Sequence, residues 1–312
     1  MLLRRIFTIG LAAAAVGCWS MSAKNNSPRA ASPETDATPF ALATPKPTAA
    51  AATSSTNSNS DQTSMTGKGT FFGHLPSSLA HPTDDVSKLL LREYGSVFVT
   101  KATPPTKIVF EDENDVTSFQ KSVERESASI GGSTVTLQKP AMEAFKAAIA
   151  EAQKSGISIG PRGGDSSIRS YAQTVTLWVS RVKPALAHWS AAGKIPKADA
   201  ARISAMSPYE QVSEVLGLES KGIWFAKSLD KSIIYSVAPP GTSQHLSMLA
   251  LDVKQFDDPR VREILAKHGW FQTISSDLPH FTYLGASESE LPGLGLKKIT
   301  SGNRVFWVPD IS

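Results

Sequence analysis

The sequence predicts an α+β fold, a small and mostly antiparallel sheet with flanking helices, preceded by a disordered linker. Three observations lead there. The chain has 312 residues and 41% hydrophobic content, enough for one sizeable core. Helix-type periodicities and short strand-type runs are mixed along residues 134–312. They do not follow the regular alternation that builds a parallel sheet. Residues 19–67 are rich in Ala, Thr, Ser, Pro and Asn, which cannot bury enough apolar surface to offset chain entropy.

Taken in order, residues 1–18 form a leader. Met1 to Arg5 is short and positive, and residues 6–16 are apolar but too few to span a bilayer. Ala15-Val16-Gly17-Cys18 resembles a bacterial lipobox, with Leu absent from its usual first position. Cys18 is then either a lipidated anchor to a membrane or the incidental tail of a cleaved signal. It is the only cysteine, so an internal disulfide is excluded. Residues 19–67 read as a tether. Residues 68–133 are an extension of unassigned role, with strand-like runs at 96–100 and 107–110.

The segment 135–137 reads as a strand. Residues 139–154 read as a helix, with Pro140 in its first turn, Met142, Phe145, Ile149 and Ala152 at helical spacing, and Gly156 beyond its end. A short strand at 157–159 precedes a Gly-rich loop. Residues 171–189 read as a helix that Pro184 breaks or kinks. Short helices follow over 194–220. Strands are expected at 233–237 and 249–253. Asp258 caps a helix from Pro259, with Val261, Ile264 and Leu265 on its buried face and Gly269 closing it. The last strands are expected at 281–284 and 304–308.

The net charge is +4, and Arg4 and Arg5 belong to the leader. The rest is only mildly basic, without a dense Lys/Arg stripe interleaved with aromatics, so nucleic acid is not an expected partner. Gly160 to Gly164 is too short and wrongly placed for a phosphate loop. His268 suits a helix end and His188 sits beside Trp189, and both read as structural; His74 and His81 lie in the extension, which is uninformative. Arg162 and Asp165 flank Gly163-Gly164 and read as loop solvation.

Three other residues carry chemistry. His245 sits at the mouth of a loop after a Pro/Gly turn, Asp252 on the strand that follows, and His280 at the start of a later strand. Two imidazoles and one carboxylate with an open fourth position are what a catalytic zinc ion needs. Asp277, three residues before His280, is placed to move a proton. On spacing alone, a nearby His and Asp are more often surface or hydrogen-bonding residues.

Ser243-x-His245-x-x-x-x-Ala250-x-Asp252 and Asp277-Leu278-Pro279-His280-Phe281 resemble the two signatures of the D-alanyl-D-alanine carboxypeptidase family of zinc peptidases, the VanY-like family. Ser167-Ile168-Arg169-Ser170-Tyr171-Ala172-Gln173 is similar to that family's Gly-Tyr-Arg-Ser-x-x-x-Gln segment. The resemblance spans roughly half the chain. It implies a hedgehog/D-Ala-D-Ala peptidase-like fold, one zinc ion per chain on His245, Asp252 and His280, and Asp277 as general base then acid. It also implies Arg169 on the substrate carboxylate or scissile carbonyl, with Gln173 and Ser243 supporting the site. The substrate it implies is the stem peptide of peptidoglycan, cut by an exported, monomeric protein of the bacterial cell envelope. Three positions depart from the pattern: Met248 stands for Gly, Asp277 for Glu, and Pro279 for a frequent Trp. Those departures motivate an alternative, a non-catalytic zinc-containing protein that binds the wall. A stem-peptide endopeptidase is another.

Overall fold

The computed structural model describes residues 71–311. The leader, Cys18 and the tether lie outside the described residues. Among those described, no helix is long and apolar enough to cross a membrane.

The architecture is α+β. Helices α1 (Asp85–Tyr94) and α2 (Glu113–Ser122) come first. A hairpin of β1 (Arg125–Ile130) and β2 (Ser133–Gln138) follows, and then α3 (Lys139–Lys154). A helical block holds α4 (Tyr171–Ala191), α5 (Lys197–Ala205) and α6 (Pro208–Glu219). Then come β3 (Ala250–Asp252), α7 (Pro259–Lys267), β4 (Trp270–Phe271), β5 (His280–Tyr283) and a final hairpin of β6 (Leu296–Ser301) and β7 (Arg304–Pro309). All strand pairings are antiparallel, and the central sheet has the order β3-β5-β4.

The sheet packs on helices because both carry matching apolar faces. Met142, Phe145, Ala148 and Ala152 on α3, and Val261, Ile264 and Leu265 on α7, are buried with Leu251, Trp270 and Phe281 of the sheet. Each large side chain so buried contributes about 1.5–3 kcal/mol, so the sheet is firmly held. Phe71, Leu79, Leu91 and Val97 to Val99 belong to the same core. Residues 71–133 thus share the interior of the β3-β5-β4 sheet. A second core joins α4, α5 and α6 through Trp178, Val182, Leu186, Ile203, Val212 and Val215. A third, small one sets Phe110, Val116, Phe119 and Tyr171 beneath Leu246.

Several elements differ from expectation. Residues 95–99 form a 3-10 turn, Gly95–Val99, and not a strand. The run is buried all round, and an apolar run buried on every side has no period to tell strand from helix. Ile233–Tyr235 is likewise a 3-10 turn. The buried Glu219 carboxylate holds it, accepting from Ile233 N at 2.7 Å and Phe225 N at 3.0 Å. Residues 107–110 and 157–159 join no ladder. Helix α4 runs on through Pro184 to Ala191, where burial of Ala185 and Leu186 offsets the missing hydrogen bond.

Candidate metal centre

The three expected ligands converge. In the β3–β5 register Asp252 lies directly opposite His280, so two ligands are cross-strand neighbours. His245 comes from a 3-10 turn, Gln244–Ser247, that feeds into β3. Met248 ends that turn in the left-handed conformation, at φ 58° and fully buried. A Gly is free to adopt this conformation and other residues rarely do, which accounts physically for the Gly of the resembled signature.

His245 Nε2 lies 3.3 Å from Asp252 Oδ1, and His280 Nδ1 lies 3.4 Å from the same oxygen. The ligand atoms of all three residues fall within 4.8 Å of one another. Zinc bonds of about 2.0–2.1 Å in a tetrahedron put neighbouring ligand atoms about 3.3–3.4 Å apart. The two measured separations match.

The protonation pattern also fits a cation. His245 Nδ1 lies 2.7 Å from the Ser167 carbonyl, which can only accept. The ring proton therefore sits on Nδ1, and Nε2 presents a bare lone pair. Burial pushes the His245 pKa down to about 4, against the opposing pull of Asp252. The ring is neutral at neutral pH. Although burial tends to raise it, the Asp252 pKa is held well below the ordinary carboxylate range. His245 Nε2 and Asp252 Oδ1 are both buried without a hydrogen-bond partner. Two buried acceptors facing each other are costly unless a cation lies between them.

The surroundings hold each ligand from behind. Ser167 is itself fixed: its hydroxyl accepts from Thr136 N on β2 at 3.0 Å. Its loop runs along β3, where Asp252 N donates to Ser166 O at 2.8 Å. His280 Nε2 lies 2.9 Å from Gln244 Oε1. Gln244 Nε2 donates to the Tyr94 carbonyl at 2.8 Å.

The remaining expected site residues divide. Arg169 reaches the centre, where its guanidinium donates to Asp252 Oδ2 at 2.9 Å. The carboxylate thus turns Oδ1 to the histidines and Oδ2 to Arg169. Asp277 sits in the turn before β5; its N donates to Ile274 O and its carbonyl accepts from His280 N. Crowding by protein atoms and the nearby Asp252 charge push its pKa up, while His280, Arg169 and Arg162 pull it down. The residue is open to solvent on one side, which limits the shift. Arg162 is exposed, and its backbone N donates to Asp252 O at 2.8 Å. Ser243 is buried at the start of the ligand turn, where its carbonyl accepts from Leu246 N. Gln173 is engaged elsewhere: with Ser170 it forms the capping box of α4, its Oε1 accepting from Ser170 N at 2.8 Å.

No family model matches the chain, and no curated protein matches it. Two solved structures are similar. One is a mutant of the vancomycin resistance D,D-pentapeptidase VanY, from a VanB-type resistance cassette, in complex with Zn(II). It is 16% identical, with a TM-score of 0.31 over 52% of this chain and 79% of that one. The other is the LdcB LD-carboxypeptidase, 14% identical, with a TM-score of 0.29 over 51% of this chain. The match spans 64% of the LdcB chain. Likeness at this level assigns the chain to no family and no activity.

Proposed function

We propose that His245, Asp252 and His280 hold one zinc ion and that the chain is a peptidase of peptidoglycan stem peptides, releasing terminal D-alanine. The observation that carries the metal reading is the facing pair of buried, unpartnered acceptors, His245 Nε2 and Asp252 Oδ1. The substrate class rests on the three signature segments around Arg169, His245 and His280. A bound zinc ion would polarise the scissile carbonyl and lower the pKa of water.

The chain's own groups supply the rest. Asp277 accepts the proton of the attacking water and returns it to the leaving amine nitrogen, a role suited to a carboxyl whose pKa is raised. Arg169 is committed first to Asp252. Its remaining N–H groups are suited to a peptide's terminal carboxylate. Ser243 supports the ligand turn from within. The leader-like residues 1–18 and the tether 19–67 would carry a monomeric enzyme into the cell envelope, with Cys18 as the site of membrane attachment.

Purified muropeptides, digested by the protein with and without a chelator and read by mass spectrometry, test this reading. The expected result is loss of one D-alanine from pentapeptide stems, abolished by the chelator. Cleavage inside the stem would make the enzyme an endopeptidase. Binding of muropeptide with no cleavage at full zinc would leave a wall-binding protein.

A further inference from the structure

We propose that Gln244 is a positioning residue of the metal centre, fixing His280 so that it binds through Nδ1, and that the segment before residue 134 exists in part to hold it there. The consequence for zinc rests on the reading above. The hydrogen-bond premise does not.

The argument starts at Tyr94. A backbone carbonyl can only accept, and the Tyr94 carbonyl receives the Gln244 amide nitrogen at 2.8 Å. That orients the amide. Its oxygen must face the other way, toward His280 Nε2 at 2.9 Å and the Thr282 hydroxyl. An amide oxygen only accepts, so His280 must carry its proton on Nε2 and leave Nδ1 bare. Nδ1 is the atom that faces Asp252 Oδ1 at 3.4 Å. Thr282 donates to the same amide oxygen and so receives the Thr273 hydroxyl at 2.6 Å. Gln244, His280, Thr273 and Thr282 are each at most 3% exposed. The amide oxygen has two acceptor sites, and both are filled. The network therefore has one self-consistent arrangement, which a side chain of other shape or polarity cannot reproduce.

The anchor lies far away in sequence. Tyr94 ends α1, and its hydroxyl donates to Ile234 O at 2.9 Å. Its backbone and side chain thus join the ligand turn to the Ile233–Tyr235 turn. This gives the otherwise unassigned N-terminal segment a task at the metal.

Metal-free protein tests the premise and zinc affinity tests the consequence. In 1H–15N spectra of the metal-free wild type, the ring N–H of His280 is expected on Nε2, protected from exchange. A proton on Nδ1 would overturn the inference, and this arm needs no variant. In Gln244→Leu, close in volume, protection should be lost and zinc affinity, from competition with a chromophoric chelator, should fall about 10–100-fold. Gln244→Glu keeps an acceptor facing His280 and should keep the protected N–H and more of the affinity than Gln244→Leu. Wild-type zinc affinity in a folded Gln244→Leu protein would also overturn the inference. If the wild type binds no zinc at all, the zinc reading fails, while the position of the His280 proton still decides the premise.

Discussion

Acidifying the metal-free protein from about pH 7 to about pH 4 should cost it about 3 kcal/mol through His245 alone. In the folded chain this imidazole has its pKa lowered by burial to about 4. In the unfolded chain it titrates near its ordinary value of 6.5. The unfolded state therefore takes up the proton first. The stabilisation is complete above about pH 6.5, declines through the window between about 6.5 and 4, and is gone below it. At about 1.4 kcal/mol per pH unit the gap gives the stated loss. Asp252 is held below its ordinary value, so its own contribution is lost only at lower pH. Asp277, crowded by protein atoms beside the Asp252 charge, and the buried Glu219 both have raised pKa values and act with the opposite sign, stabilising the fold as they protonate. A His245→Gln variant keeps those groups and removes only the titrating ring. Urea melts in chelator at stepped pH should show the wild type losing about 3 kcal/mol more than the variant across the window. Parallel curves would refute the reasoning, since they would mean that His245 is not a dry, neutral imidazole.

Other substitutions test the frame of the site. Met248→Gly relieves a left-handed residue, worth about 1–2 kcal/mol, but empties a fully buried side chain, at about 2–5 kcal/mol; thermal melts should show a net loss, and an unchanged or raised Tm would contradict it. Gly241→Ala sets a Cβ 1.9 Å from the Phe110 carbonyl oxygen at φ 80°. It should destabilise the chain by more than about 3 kcal/mol, and a melt within 2 °C of wild type would show that the contact relaxes freely. Arg169→Lys replaces a planar donor that reaches Asp252 Oδ2 at 2.9 Å with a point charge. It should lower kcat/KM by about tenfold or more while the fold survives, and wild-type turnover would leave Arg169 structural only.

Some of this was legible in the sequence and some was not. Helices α3 and α7 were open to reading because Pro140, Gly156, Asp258 and Gly269 bracket runs with clear helical spacing. The convergence of His245, Asp252 and His280 was legible because those side chains are themselves the signal. The strand β1 was hidden: Arg125, Glu126 and Ser127 give no apolar alternation on a half-exposed hairpin. Gln173 looked like a site residue since capping chemistry and site chemistry use the same side chains. Gln244, Ser167 and Tyr94 could not be singled out, because two of them act through backbone carbonyls that every residue possesses. The tie between Arg169 and Asp252 depends on a loop crossing back over β3, which no local pattern records.

The central claim, that this centre catalyses peptide hydrolysis, is tested most directly by release of D-alanine from a stem pentapeptide by the zinc-loaded wild type and Asp277→Ala, with zinc content measured on the same samples. Asp277 is not among the ligands, so the variant should keep its zinc. It should lose about 10²–10⁴-fold in rate, the usual worth of general acid–base assistance. A zinc-loaded wild type that releases no D-alanine, with Asp277→Ala indistinguishable from it, would contradict the account.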